Sequence, residues 1–167
     1  TMKSIHLTFC IILISIFSLL FAFYLQIEIN LTPCKLCVWQ RWPHVLNIII
    51  ALMLVTSSID RRVLLCIGVT NMFLAQLLAA YHFGLEEGYW VNVFTCSGIP
   101  DLNNVNTKDL LESLKNTPIS SCEQPQWALL GISLAGWNTF VSLILNLLWW
   151  FKVYLFFSNY KKNVPAK

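Results

Sequence analysis

The residues in this chain best suited to covalent chemistry are Cys34 and Cys37. They stand in the run Pro33-Cys34-Lys35-Leu36-Cys37-Val38-Trp39-Gln40-Arg41-Trp42-Pro43, where a short polar link gives way to a long apolar stretch. A helix starting there would put both sulfurs on one face, one turn apart, and would set Arg41 beside Cys37 at i+4. A helix N-terminus and a neighbouring cation both favour thiolate, the reactive form of cysteine. Lys35, between the two, is expected to lower the pKa of both through its charge. These are the ingredients of a redox dithiol.

The elements that must carry this pair are membrane spans. The chain is 57% hydrophobic and only 11% charged, against about 25% charged in an ordinary soluble domain. Residues 4–27, 42–59, 63–85 and 124–151 contain no Asp, Glu, Lys or Arg, and a spanning helix needs about 20 mostly apolar residues. The expected fold class is an all-α membrane protein, a four-transmembrane-helix bundle. It forms a single membrane domain over residues 1–167, with spans at about 5–27, 36–55, 63–83 and 127–151. The first run exceeds the roughly 7–15 apolar residues of a signal peptide and no small-x-small cleavage site follows it, so it is expected to be a retained helix.

Four spans place both termini and the loop after span 2 on one side. That side holds Lys3, Arg61, Arg62, Lys152, Lys161, Lys162 and Lys167 against the single acid Asp60. The other holds Lys35, Arg41, Lys108 and Lys115 against seven acids. The first side is therefore cytoplasmic. The net charge of +3 reflects topology and implies no nucleic-acid partner.

Cys34, Cys37, Cys96 and Cys122 then lie on or near the outer face, while Cys10 and Cys66 are inside spans and expected to be inert. Four cysteines in an oxidising compartment read as two disulfides. A zinc site built on four thiolates needs a reducing side, so no metal is expected. The loop at about 84–126 carries Cys96 and Cys122, and loops of that length are usually functional. Within it, Asn106-Thr107-Lys108-Asp109 resembles a helix cap, and Leu110, Leu111 and Leu114 follow at helical spacing. The expected element is a short amphipathic helix on the membrane surface.

Gln40, Arg41, His44 and Asn47 are drawn into or near the bilayer, where an arginine marks a functional site by default. The alternative is that Arg41 snorkels to the headgroups among Trp39 and Trp42; the stripe Cys34, Cys37, Arg41, His44 favours function. Pro43 predicts a kink just below the dithiol. His82, at the outer end of span 3, either orients a ligand or is an interfacial histidine without a role. In span 4, Gly131, Ala135 and Gly136 form a close-packing face, and Asn138 and Asn146 can bond to neighbouring helices.

Two readings of the cysteines remain on these grounds. Both pairs staple a non-catalytic tetraspan scaffold, or they exchange electrons. A Cys-x-x-Cys bridge closes too small a loop to staple much. Beside an arginine at the membrane surface, its accessible acceptor is a lipid-soluble quinone, and each transfer would be attack of a thiolate on a disulfide.

The run Cys34-Lys-Leu-Cys37-x-x-Gln40-Arg41-Trp-Pro resembles the signature of the DsbB family of bacterial disulfide-bond-forming membrane proteins. So do the four spans, the Cys96 and Cys122 pair, and Gly131-Ile-Ser-Leu-Ala-Gly-Trp-Asn138. The resemblance implies an enzyme of the bacterial inner membrane, with both termini cytoplasmic and its active cysteines periplasmic. A periplasmic DsbA-like thiol oxidase would be the partner and ubiquinone or menaquinone the acceptor. Cys96 would be attacked by the reduced partner, Cys122 would exchange with Cys34, and Cys37 would face the quinone. Arg41 would hold a quinone oxygen, with His82 a further candidate for cofactor contact. The alternatives are the scaffold, a metal-binding membrane protein, and an enzyme like vitamin K epoxide reductase. Gln40-Arg41 and the order of the pairs argue against the last.

Overall fold

A computed structural model describes residues 2–91 and 122–163. Cys96 and the amphipathic helix expected near residues 107–115 lie outside the described residues. Four long helices form over the charge-free runs, α1 (Met2–Ile27), α3 (Arg41–Thr56), α4 (Arg61–Glu86) and α5 (Leu134–Asn163), and the short α2 (Lys35–Trp39) leads into α3. With α2 and α3 taken as one span, four helices are long and apolar enough to cross a membrane. They pack as a four-cornered bundle, α1 against α3 and α5, and α4 against the same two. Their outer faces expose Leu13, Phe17, Trp42, Leu74, Leu147 and other large apolar side chains. Water would penalise such a surface and lipid does not. The chain is a multi-pass membrane protein.

The interior is held by shape and a few internal hydrogen bonds. Trp149 is fully buried and donates from Nε1 to Asn47 Oδ1 at 2.7 Å, while Asn47 Nδ2 donates to Ser15 Oγ at 2.7 Å. Gly68 makes room for that indole, since a Cβ there would stand 2.6 Å from the ring. Asn146 Nδ2 reaches Gln76 Oε1 at 3.2 Å, the interhelical bond expected of it.

Two helix ends shape the functional region. Pro43 has no N–H for the Trp39 carbonyl and its ring crowds that oxygen. The helix is accordingly interrupted at Gln40, between α2 and α3. At the end of α4, Gly88 is left-handed (φ 73°), and Tyr89 N donates to Gly84 O and Gly88 N to Leu85 O. This Schellman arrangement stops the helix, but only after Glu86, so His82 and Glu86 share one helical face.

Span 4 departs from its expected bounds at both ends. Residues expected to open a helix at Trp127 instead form a small hairpin, β1 (Ala128–Leu129) antiparallel to β2 (Ile132–Ser133). Leu130 and Gly131 both have positive φ, the signature of a two-residue type I′ turn. Gly131 thus makes a turn and no helix face, and among the described residues nothing lies within 4 Å of its missing side chain. Gly136 keeps the close-packing role: a Cβ there would meet Ile132 at 2.6 Å and Phe83 at 3.0 Å. At the other end, α5 continues past residue 151, and Lys152 is buried against α1, donating to Ser4 O at 3.2 Å and to Thr8 Oγ1.

Candidate functional site: a buried dithiol beside an apolar cavity

Cys34 is the N-cap of α2, and its Sγ accepts from Cys37 N at 3.2 Å. One turn of helix then brings the two sulfurs to 3.0 Å, with the Cys34 thiol donating to Cys37. Both are free thiols. Cys34 is 1% exposed, and its thiol is pushed up to about 12. The first cause is the hydrogen bond it donates to Cys37, which holds the proton; burial adds to this, and a contact with His82 opposes it. The expectation that Lys35 lowers both cysteines fails at Cys34. Lys35 is exposed, and a solvated charge is outweighed by a direct hydrogen bond and desolvation.

Only thiolate alkylates. A thiol whose pKa lies above the ordinary value stays protonated at neutral pH and loses its proton only as pH rises. Iodoacetamide on the reduced protein near neutral pH should therefore label Cys37 well before Cys34, with labelling of Cys34 growing as pH is raised. Peptide mass mapping reads the order directly, and Cys34 labelled first would reverse it.

Cys34 and Cys37 face different surroundings. His82 Nε2 lies 3.5 Å from Cys34 Sγ. The Cys34 and Cys122 sulfurs and a ring nitrogen of His82 all lie within 4.8 Å of one another, and all three residues are buried. Among the described residues this is the one group of thiol, imidazole and carboxylate atoms close enough to share a metal ion. It is equally the geometry of sulfur exchange, since Cys34 lies within reach of two other sulfurs. Around it, Glu86 Oε1 is 3.8 Å from His82 Nε2, and Ser133 Oγ donates to Glu86 Oε2.

Cys37 instead lines a cavity of about 340 Å³ whose walls include Phe17, Phe21, Trp127 and Val141, with Gln40, Arg41, His44 and Asn138 as polar groups. It lies between α1, the start of α3, the hairpin and α5. Arg41 is held by α1: Nη1 donates to Gln26 Oε1 at 2.6 Å, and the guanidinium stacks over Phe23 with 4.8 Å to the ring centroid. Three members of the predicted stripe, Cys37, Arg41 and His44, thus share one cavity. Neither Cys34 nor His82 is among its lining residues. A mostly apolar space with a few convergent polar groups is the usual form of a small-molecule site, and its residues suit a flat, apolar ring bearing oxygen atoms.

A hydrogen-bond chain runs behind the cavity. His44 Nε2 lies 2.9 Å from Asn138 Oδ1, Asn138 Nδ2 donates to Gln40 Oε1 at 2.7 Å, and Gln40 Nε2 meets His82 Nδ1 at 2.8 Å. The sequence marked Gln40 and Asn138 twice, as polar residues in apolar spans and as members of the two stretches that resemble the family. Ser133 stands inside the second of those stretches and Glu86 in His82-Phe-Gly84-Leu-Glu86, which also resembles the family, but neither stretch assigns them a role; Gln26 carried no signal. Cys10 and Cys66 lie on outward faces of α1 and α4.

Fold and site together define a multi-pass membrane protein with a dithiol set between a further cysteine and an apolar cavity. The chain matches the family described as Disulfide bond formation protein DsbB over residues 4–152. An uncharacterized protein of Rickettsia prowazekii is 28% identical over 141 residues, covering 83% of this chain and 81% of the relative. Disulfide bond formation protein B of Pasteurella multocida is 25% identical over 150 residues, 87% of this chain and 82% of that protein. Its namesake in Cupriavidus metallidurans is 30% identical over 129 residues, 75% and 78% of the two chains. No solved structure matches. The chain belongs to the DsbB family, whose role is disulfide bond formation.

Proposed function

We propose that this protein is a quinone-dependent thiol oxidase of a bacterial inner membrane, which reoxidises a periplasmic DsbA-like dithiol oxidase. The observation that carries the reading is the placement of the dithiol: Cys37 lines the cavity with Arg41, while Cys34 turns the other way, to Cys122. The excess of basic residues on the side of the termini supports a periplasmic dithiol.

In this reading the partner thiolate attacks Cys96 of a Cys96–Cys122 disulfide, and Cys122 leaves as thiolate. Cys122 attacks Cys34 of the Cys34–Cys37 disulfide, and the electron pair leaves on Cys37. The partner's second thiolate displaces Cys96, which then attacks Cys122 and releases Cys34. The loop disulfide is restored and the pair Cys34, Cys37 is left reduced. A bound quinone supplies a lipid-soluble acceptor for two electrons and two protons. Arg41 would bind a ring oxygen and balance the charge on Cys37, and the aromatic and aliphatic walls would exclude water.

The test is anaerobic. Purified protein is mixed with a reduced DsbA-like oxidase and a ubiquinone or menaquinone analogue. The expected result is loss of quinone absorbance matched one-for-one by partner disulfide. No loss with either analogue would overturn the reading.

A further inference from the structure

We infer that His82 is a catalytic residue of the sulfur exchange at Cys34, and that Gln40, Asn138 and His44 position it; this rests on the thiol-oxidase reading above. Its placement departs from the expected contact with a cofactor, because the imidazole faces the sulfurs and stands outside the cavity's lining.

The hydrogen-bond chain decides which ring nitrogen carries the proton. His44 Nε2–H donates to Asn138 Oδ1, which turns the Asn138 amide to donate to Gln40 Oε1. Gln40 Nε2 then donates to His82 Nδ1. An Nδ1 that accepts leaves a neutral imidazole with its proton on Nε2, the nitrogen 3.5 Å from Cys34 Sγ. Reversing the amides would instead put a proton on His44 Nδ1, which is buried with no hydrogen-bond partner among the described residues. An unpaired buried donor is the rarer and costlier arrangement. The orphaned nitrogen of His44 therefore favours the orientation that aims His82 Nε2–H at the sulfurs.

That N–H matches the exchange. When Cys122 attacks Cys34, the Cys34–Cys122 bond forms, the Cys34–Cys37 bond breaks and the electron pair goes to Cys37. When Cys96 later attacks Cys122, the Cys34–Cys122 bond breaks and the pair leaves on Cys34, beside His82 Nε2–H. A ring nitrogen of His82 also lies within 4.8 Å of the Cys122 sulfur, so the imidazole stands beside the attacking sulfur as well. No proton needs to move: a preorganised donor stabilises charge as it develops.

The experiment separates exchange from acceptor reduction. Protein oxidised at both pairs is mixed anaerobically with a reduced DsbA-like oxidase and no quinone, then acid-quenched, and the disulfide isomers are resolved by mass spectrometry. His82→Leu should slow formation of the reduced Cys34–Cys37 pair by about 10- to 100-fold, the worth of a hydrogen bond to a charged group. Its kcat/KM for a quinone analogue, which depends on the acceptor half-reaction alone, should stay at the wild-type value. His82→Gln, which can place an N–H near the same point, should recover most of the exchange rate. In ¹⁵N-histidine spectra of the wild type, His82 should carry its proton on Nε2. Unchanged exchange in His82→Leu, a lowered quinone kcat/KM with normal exchange, equal losses in both variants, or a protonated Nδ1 would each overturn the assignment. Wild-type protein that passes no electrons between the pairs would overturn the thiol-oxidase reading itself.

Discussion

Cys37→Ser is expected to reduce quinone turnover to background while leaving a single exchange at the loop pair intact. The serine oxygen fills nearly the same space but cannot form the second half of a disulfide with Cys34. The two electrons then have no route from Cys34, which is buried and outside the cavity's lining. Cys34→Ser should be equally inactive, because Cys122 then has no disulfide sulfur to attack. The two variants differ in what accumulates. Cys37→Ser can trap a Cys34–Cys122 disulfide, while Cys34→Ser cannot, and non-reducing peptide mapping distinguishes them. Steady quinone reduction by either variant would end the proposed relay.

The second large effect is expected at Arg41. Arg41→Ala should lower kcat/KM for quinone by about 10- to 100-fold, since a charge-assisted hydrogen bond contributes roughly 1.5–3 kcal/mol. Exchange between the cysteine pairs in the absence of quinone should be unchanged. Arg41→Lys should recover only part of the loss, because an ammonium lacks the planar fork that can reach Gln26 and a ligand together and stacks less well on Phe23. If Arg41→Ala slowed exchange as much as quinone reduction, the arginine would be acting on the dithiol and not on the acceptor. Parallel thermal melts in detergent would show whether the lost contact to α1 loosens the bundle.

The spans were legible because lipid imposes a strong and local rule: apolar length with every backbone bond made internally. The one-turn pairing of Cys34 and Cys37 was legible for a similar reason, since helical periodicity sets it. Gly88 stopping α4 and Leu130-Gly131 turning a hairpin are also local, yet the hairpin was missed. Its residues are as apolar as the helix that follows, and hydropathy cannot tell an apolar hairpin from a span. Lys35 misled because charge along a sequence says nothing of which side chains are solvated.

By itself, then, the sequence determined the membrane class, the number of long apolar helices, the helix-start dithiol with Arg41 one turn on, and the family signature. These depend on composition and on contacts within a few residues. Only the tertiary structure decided that Cys34 turns to Cys122 and His82 while Cys37 turns to the cavity. It alone joined Gln40, His82 and Asn138, from three different spans, into one hydrogen-bond chain. It also buried Lys152 against α1 and used the hairpin to wall the cavity. Such choices depend on which faces of distant segments pack together, and periodicity along one helix does not encode the rotation of its neighbours.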